Sequence, residues 1–152
     1  MAYATAEARQ DLLDSIAEAT EHIGVALSAI GAAYEQLDEQ SADRLEEELF
    51  RPVQLAYGRA RRAHTGFAER HTLPGRSFAP PPAGHASQGV KGFLDAAVEA
   101  VGAADVALST LQDSMLPVEV GDPELRAGLA DVRELLGELP TRARRFVSLF
   151  GR

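Results

Sequence analysis

Arg59-Ala-Arg-Arg-Ala-His-Thr-Gly-Phe67 returns near the C-terminus as Arg142-Ala-Arg-Arg-Phe-Val-Ser-Leu-Phe150. In each copy an alanine (Ala60, Ala143) and a phenylalanine (Phe67, Phe150) fall on an apolar row, with the arginines flanking it. The row through the first copy is Leu45, Leu49, Val53, Ala56, Ala60, Ala63, Phe67; through the second it is Leu125, Leu129, Val132, Leu136, Leu139, Ala143, Phe146, Phe150. Steps of three and four residues define one face of an α-helix. The echo therefore puts an arginine triplet in the C-terminal half of each of two long amphipathic helices.

Upstream of the first copy lies another helix, read from about Thr5 to about Glu39. Thr5 is placed as its N-cap, with Glu7 facing the positive end of the helix dipole. Its apolar residues repeat every seven positions, in rows Ile16, Ile23, Ile30, Leu37 and Leu13, Thr20, Leu27, Tyr34. Ala19, Ala26 and Ala33 lie beside those rows and allow a neighbouring helix to approach closely. A turn is expected near Asp38–Ser41, with Ser41 as the N-cap of a second helix from about Ala42 to about Arg70. Pro52 falls inside that helix and is expected to kink it.

Residues 72–86 form a connector with Pro74, Gly75, Pro80, Pro81, Pro82 and Gly84. Consecutive prolines favour an extended polyproline conformation. Fifteen residues reach about 50 Å, against about 45 Å for a 30-residue helix. The connector is thus long enough to cross a whole bundle, and its length leaves the direction of the next helix open. A third helix is read from about Ser87 to Leu116, stopped by Pro117. A fourth opens at Asp122-Pro123-Glu124, an N-cap, a proline at the first helical position and an acid. Pro140 is expected to kink it.

The echo extends beyond the arginines. Leu12-Leu13-Asp14 lies 81 residues before Phe93-Leu94-Asp95, and Arg59 lies 83 residues before Arg142. Either a helical hairpin was duplicated, or matches arose by chance in an alanine-rich helical chain. Both lead to one expectation: a single all-α domain over 1–152, a four-helix bundle in up-down-up-down order, with hairpins 5–71 and 87–151.

The 152 residues carry a net charge of −8 and no cysteine. Thiol chemistry, thiolate metal sites and disulfides are excluded. An acidic surface disfavours nucleic acid. No apolar run approaches the ~20 residues that span a bilayer, and the N-terminal residues lack the basic start and apolar core of a secretory signal. A cytoplasmic protein is expected.

In up-down-up-down order, helices two and four end together. That end would gather Arg59, Arg61, Arg62, Arg142, Arg144 and Arg145 with His64 and His71, opposite an acidic end holding Asp38, Glu46, Glu47, Glu48, Asp122 and Glu124. Arginines near helix C-termini complement the macrodipole. Converging, they would also grip phosphate or carboxylate. These eight residues are the candidate anion site.

His71-Thr72-Leu73-Pro74-Gly75-Arg76-Ser77 resembles the His-x-Leu-Lys-Gly-Ser-Ser stretch of histidine phosphotransfer domains, except that Pro74 stands where that family has lysine. Arg59 and His64 resemble the Arg-x4-His spacing of HEPN-type ribonucleases, with Ala60 where that family carries a polar residue. No Glu-x-x-His pair and no glycine-rich phosphate loop occurs, so no metal or cofactor is expected. Asp105 is the candidate for a carboxylate near the core. The reading these features favour is a non-enzymatic interaction or scaffold protein, self-associating or bound to a protein partner. The alternative is a phosphate-ligand binder or helical enzyme using the arginines with His64 or His71.

Overall fold

The chain folds into long helical stretches joined by one extended connector. The computed structural model describes residues 2–85 and 88–150, the side chains of 2–5 excepted, and contains no strand among them. The helices are α1 (Ala2–Glu35), α2 (Glu39–Leu45), α3 (Arg51–Arg70), α4 (Gly89–Asp113), α5 (Leu116–Val120), α6 (Pro123–Gly137) and α7 (Leu139–Phe150). None is long and apolar enough to cross a membrane.

Helix α1 buries its expected rows as far as Ile30; Tyr34 is exposed, and Leu37 lies half-buried beyond the end of the helix. Leu13, Ile16, Thr20, Ile23, Leu27 and Ile30 are all buried, and the Thr20 hydroxyl donates to Ile16 O at 2.7 Å. Ala19, Ala26 and Ala33 are buried beside them. They admit α4, whose own small residues Ala97, Ala100 and Ala104 are buried too. The α1–α4 seam is the most extensive in the molecule, followed by α3–α6 and α1–α3.

Several boundaries differ from the sequence expectation. Helix α1 starts at Ala2, upstream of Thr5, and stops at Glu35. The next N-cap is Asp38 rather than Ser41: its carboxylate accepts the Ser41 N–H at 2.8 Å. A carboxylate at Asp38 reaches the orphan N–H groups of the first turn, and Ser41 lies inside that turn. The third helix ends at Asp113, because Met115 takes a left-handed conformation (φ 65°) and Pro117 opens the short α5. Ser87 lies outside the described residues.

The proline kinks take two forms. Before Pro52, residues Glu46–Phe50 form one π-helical turn, with Arg51 N–H reaching Glu46 O. Pro52 has no N–H, so Glu48 O loses its helical donor; Arg142 Nη1 fills the place at 3.3 Å. At Pro140 the helix breaks outright into α6 and α7. Asp122 caps α6 as the sequence indicated, accepting Leu125 N–H at 3.0 Å.

The up-down-up-down order is overturned. Arg59 pairs with Asp131, Arg70 with Glu124, and Arg142 donates to Glu48 O. As α3 advances, its partners on α6 and α7 recede, so the second and fourth helical stretches run antiparallel. Helices α4 and α6 are antiparallel as well, since Asp105 meets Arg133 and the line Val101, Gly102 faces Leu136, Gly137. The connector explains the difference. From His71 it doubles back along α1: Arg76 pairs with Glu21, Pro80 lies against Gly24, and Ser28 donates to Pro81 O. It thereby crosses the molecule, and α4 starts at the far end, running in the same direction as α3. Length allowed either route; these side-chain contacts select this one.

Candidate functional site

The two arginine triplets do not meet. Arg142 sits level with Glu48 and Arg59 level with Asp131, eleven residues farther along α3, roughly 16 Å on the helix axis. The expected separation into a basic and an acidic end fails with them, because Asp122 and Glu124 lie against Arg70 while Arg142 lies beside Glu48. Antiparallel packing interleaves the charges.

Each candidate arginine with a described contact has a local one. Arg59 Nη1 donates to Asp131 at 3.1 Å, with both side chains about half exposed. Arg61 stacks over the Tyr57 ring, 4.8 Å from its centroid. Arg62 is exposed on the shallow surface between α3 and α6 that also holds Arg70 and Glu124. Arg142 Nη2 donates to Glu138 at 2.8 Å, in addition to its bond to Glu48 O. Arg144 reaches Thr141 at 3.4 Å, and Arg145 is exposed on α7.

The candidate histidines have different roles. His71 follows the last residue of α3, and its Nε2 lies 3.0 Å from Asp122 Oδ2. An ionised carboxylate only accepts, so that nitrogen carries the proton. Asp122 also receives Arg70 through Nε and Nη2, both at 3.0 Å, and the Leu125 N–H. Arg70 Nη1 extends to Glu124 at 2.9 Å. Asp122 is 5% exposed. Burial alone would raise its pKa, but the hydrogen bonds from Leu125, His71 and Arg70, with the Arg70 charge, outweigh that and hold it below the usual carboxylate value. The cluster ties the end of α3 to the start of α6.

His64, on α3, is 2% exposed and meets the Phe78 ring edge-on, with centroids 5.0 Å apart. Its Nδ1 has no hydrogen-bond partner. Burial pushes its pKa down, the Arg76 charge adds to this, and Asp14 opposes both. His64 is therefore neutral at pH 7, sealed under the connector by Phe78, with Arg76 stacked on that ring at 4.7 Å.

Two further polar clusters were not foreseen in full. Asp105 accepts Arg133 Nε at 2.9 Å, and Arg133 Nη1 also reaches Gln112 at 2.8 Å, joining α6 to α4. Arg44 lies over the Phe146 ring at 5.2 Å, joining α2 to α7. Nothing in the sequence pairs Arg133 with Asp105, because the partners are 28 residues apart and only the fold brings them together.

An open groove runs between α3 and α6–α7. Pro52, Leu55, Leu135 and Leu139 supply its apolar lining, and Arg59 and Arg142 stand along its edge. One arginine of each triplet lines it. No group of three or more His, Asp or Glu among the described residues is placed to hold a metal ion. Comparison with protein-family models, curated proteins and solved structures finds no match. The fold and site define an all-helical protein whose polar groups join helix to helix.

Proposed function

We propose that this chain is a non-enzymatic interaction or scaffold protein: a four-helix bundle of two similar hairpins that associates with itself. The observation carrying this reading is how the polar groups suited to chemistry are spent. Arg59, Arg70, Arg76, Arg133 and Arg142 each pair with a carboxylate, and His71 bonds Asp122. His64 is sealed within the packing. Such groups fix helices against each other, and their pairing keeps these arginines from converging on an anion.

The hairpin repeat has geometric support. A shift of about 81–83 residues carries α1 onto α4 and α3 onto α6–α7. The pairs so related run antiparallel, the arrangement that a two-fold axis perpendicular to the helices gives two copies of one hairpin. Two such hairpins bury their apolar faces against each other, which favours an architecture whose chief work is packing.

Light scattering across a concentration series tests the reading, alongside thermal melts with inorganic phosphate and phosphorylated metabolites. The expected result is a mass that rises with concentration and a melting temperature that phosphates leave unchanged. A constant monomer mass with a phosphate-dependent rise in melting temperature, abolished by Arg62→Ala or Arg142→Ala, would replace it with the anion-binding reading.

A further inference from the structure

The sharpest backbone anomaly lies where the two halves of the chain join. Thr72 has φ 54°, a left-handed conformation that a β-branched side chain rarely adopts. It follows the last turn of α3, where Leu73 N–H closes on Ala68 O at 2.8 Å and Thr72 N–H on Glu69 O at 3.4 Å. This is the helix-ending turn that glycine normally serves. Here the chain reverses, and the connector returns along the α1–α3 seam.

Every described anchor of that returning segment belongs to the first half of the chain. Arg76 takes Glu21, Phe78 takes His64, Pro80 sits beside Tyr57 and Gly24, and Pro81 O takes Ser28. The helices that follow dock on the same half, α4 on α1 and α6 on α3. Between the reversal and these anchors lies Leu73-Pro74-Gly75. Leu73 precedes a proline and is biased toward extended backbone. Leu73 rests on the core, but a Cβ at Gly75 would meet no neighbouring atom within 4 Å, so nothing packs closely against that residue.

We infer that two copies of this chain exchange residues 76–150 about a hinge at 72–75. In the exchanged dimer the hinge opens, and the second half of each copy docks on the first half of the other. Each anchor and each helix seam named above is remade between chains. Opening the reversal frees Thr72 from the left-handed region, so the exchange keeps the packing and sheds strain. What opposes it is the entropy of association, which makes the dimer concentration-dependent. This rests on the self-association reading above and names the partner and the route.

A cysteine pair reads the exchange directly. The chain has no cysteine, and a Cβ on Gly128 would lie 3.6 Å from Ala63 Cβ, within the range of a disulfide. Ala63→Cys with Gly128→Cys therefore links α3 to α6, within one chain in a monomer and between chains in an exchanged dimer. The protein is refolded at low and at high concentration, oxidised and run on a non-reducing gel. The expected result is a covalent dimer whose share grows with refolding concentration and falls severalfold when Thr72→Gly is added, since glycine accepts the turn without strain. Arg59→Cys with Asp131→Cys, joined by a bifunctional maleimide that spans the longer gap of that ion pair, repeats the readout if the first pair fails to fold. Cross-linked monomer at every concentration overturns the exchange. If light scattering still shows dimers then, self-association stands without exchange; if it shows only monomers, both ideas fall.

Discussion

Asp122 and His64 are both buried polar side chains at helix seams, and they are treated in opposite ways. Asp122 is 5% exposed and is met by Leu125 N–H, both faces of the Arg70 fork and His71. His64 is 2% exposed and leaves Nδ1 unpaired against an aromatic edge. Burial is nearly equal, so partners decide what each contributes. A satisfied carboxylate adds charge-assisted hydrogen bonds and a helix cap. An orphaned ring nitrogen carries a desolvation cost of order 1–3 kcal/mol that packing must offset.

The largest effect should come from the satisfied member. Asp122→Ala removes the α6 cap and strands Arg70 and His71, and should cost about 2–4 kcal/mol in urea unfolding. A loss below about 1 kcal/mol would collapse the contrast. Next comes His64→Leu, which fills much of the same space without an unpaired nitrogen. It should unfold within about 1 kcal/mol of the parent at pH 7.5 and be the more stable protein at pH 5.5.

The sign follows from the direction of each shift. His64 has a folded pKa below its ordinary 6.5, so the unfolded chain binds the proton first. Stability therefore falls as pH drops through 6.5 toward the folded value, then levels off. Asp122 is also depressed, but as a carboxylate its contribution is intact above its ordinary 3.8 and is lost as pH falls through the folded value. Stability should thus decline in two separate stages on acidification, and His64→Leu should erase only the upper one. The smallest effect belongs to the surface: Arg59→Ala breaks a half-exposed ion pair with Asp131 and should change stability by less than about 0.5 kcal/mol. A larger loss would show that the groove side of α3 is held by charge as well as by packing.

Much of the local structure was legible. The seven-residue rows of α1 are buried as spaced up to Ile30, Asp122 caps α6 as its Asp-Pro-Glu run indicated, and Pro52 and Pro140 both disturb their helices. These features depend on neighbours within one or two turns. Tyr57 stands beside the apolar row of its helix yet is buried, because that helix packs on more than one neighbour and buries a wider face. Phe150, placed on a stripe, is 42% exposed at the end of α7. The candidate site was legible only as an inventory. Which arginine meets which acid depended on helix direction, and the seven residues His71–Ser77, resembling a phosphotransfer motif, begin a reversal in which His71 serves Asp122.

The sequence by itself determined that this protein is helical, where its long helices run and which rows they bury, because propensity, capping and 3.6-residue periodicity act over short distances. Only the tertiary structure decided that the second and fourth helical stretches oppose each other, separating Arg59–Arg62 from Arg142–Arg145. The physical reason lies in the connector. It is long enough for either route, and what holds it along the α1–α3 seam is a set of tertiary contacts: Arg76 with Glu21 and Pro81 with Ser28 on α1, and Phe78 with His64 on α3.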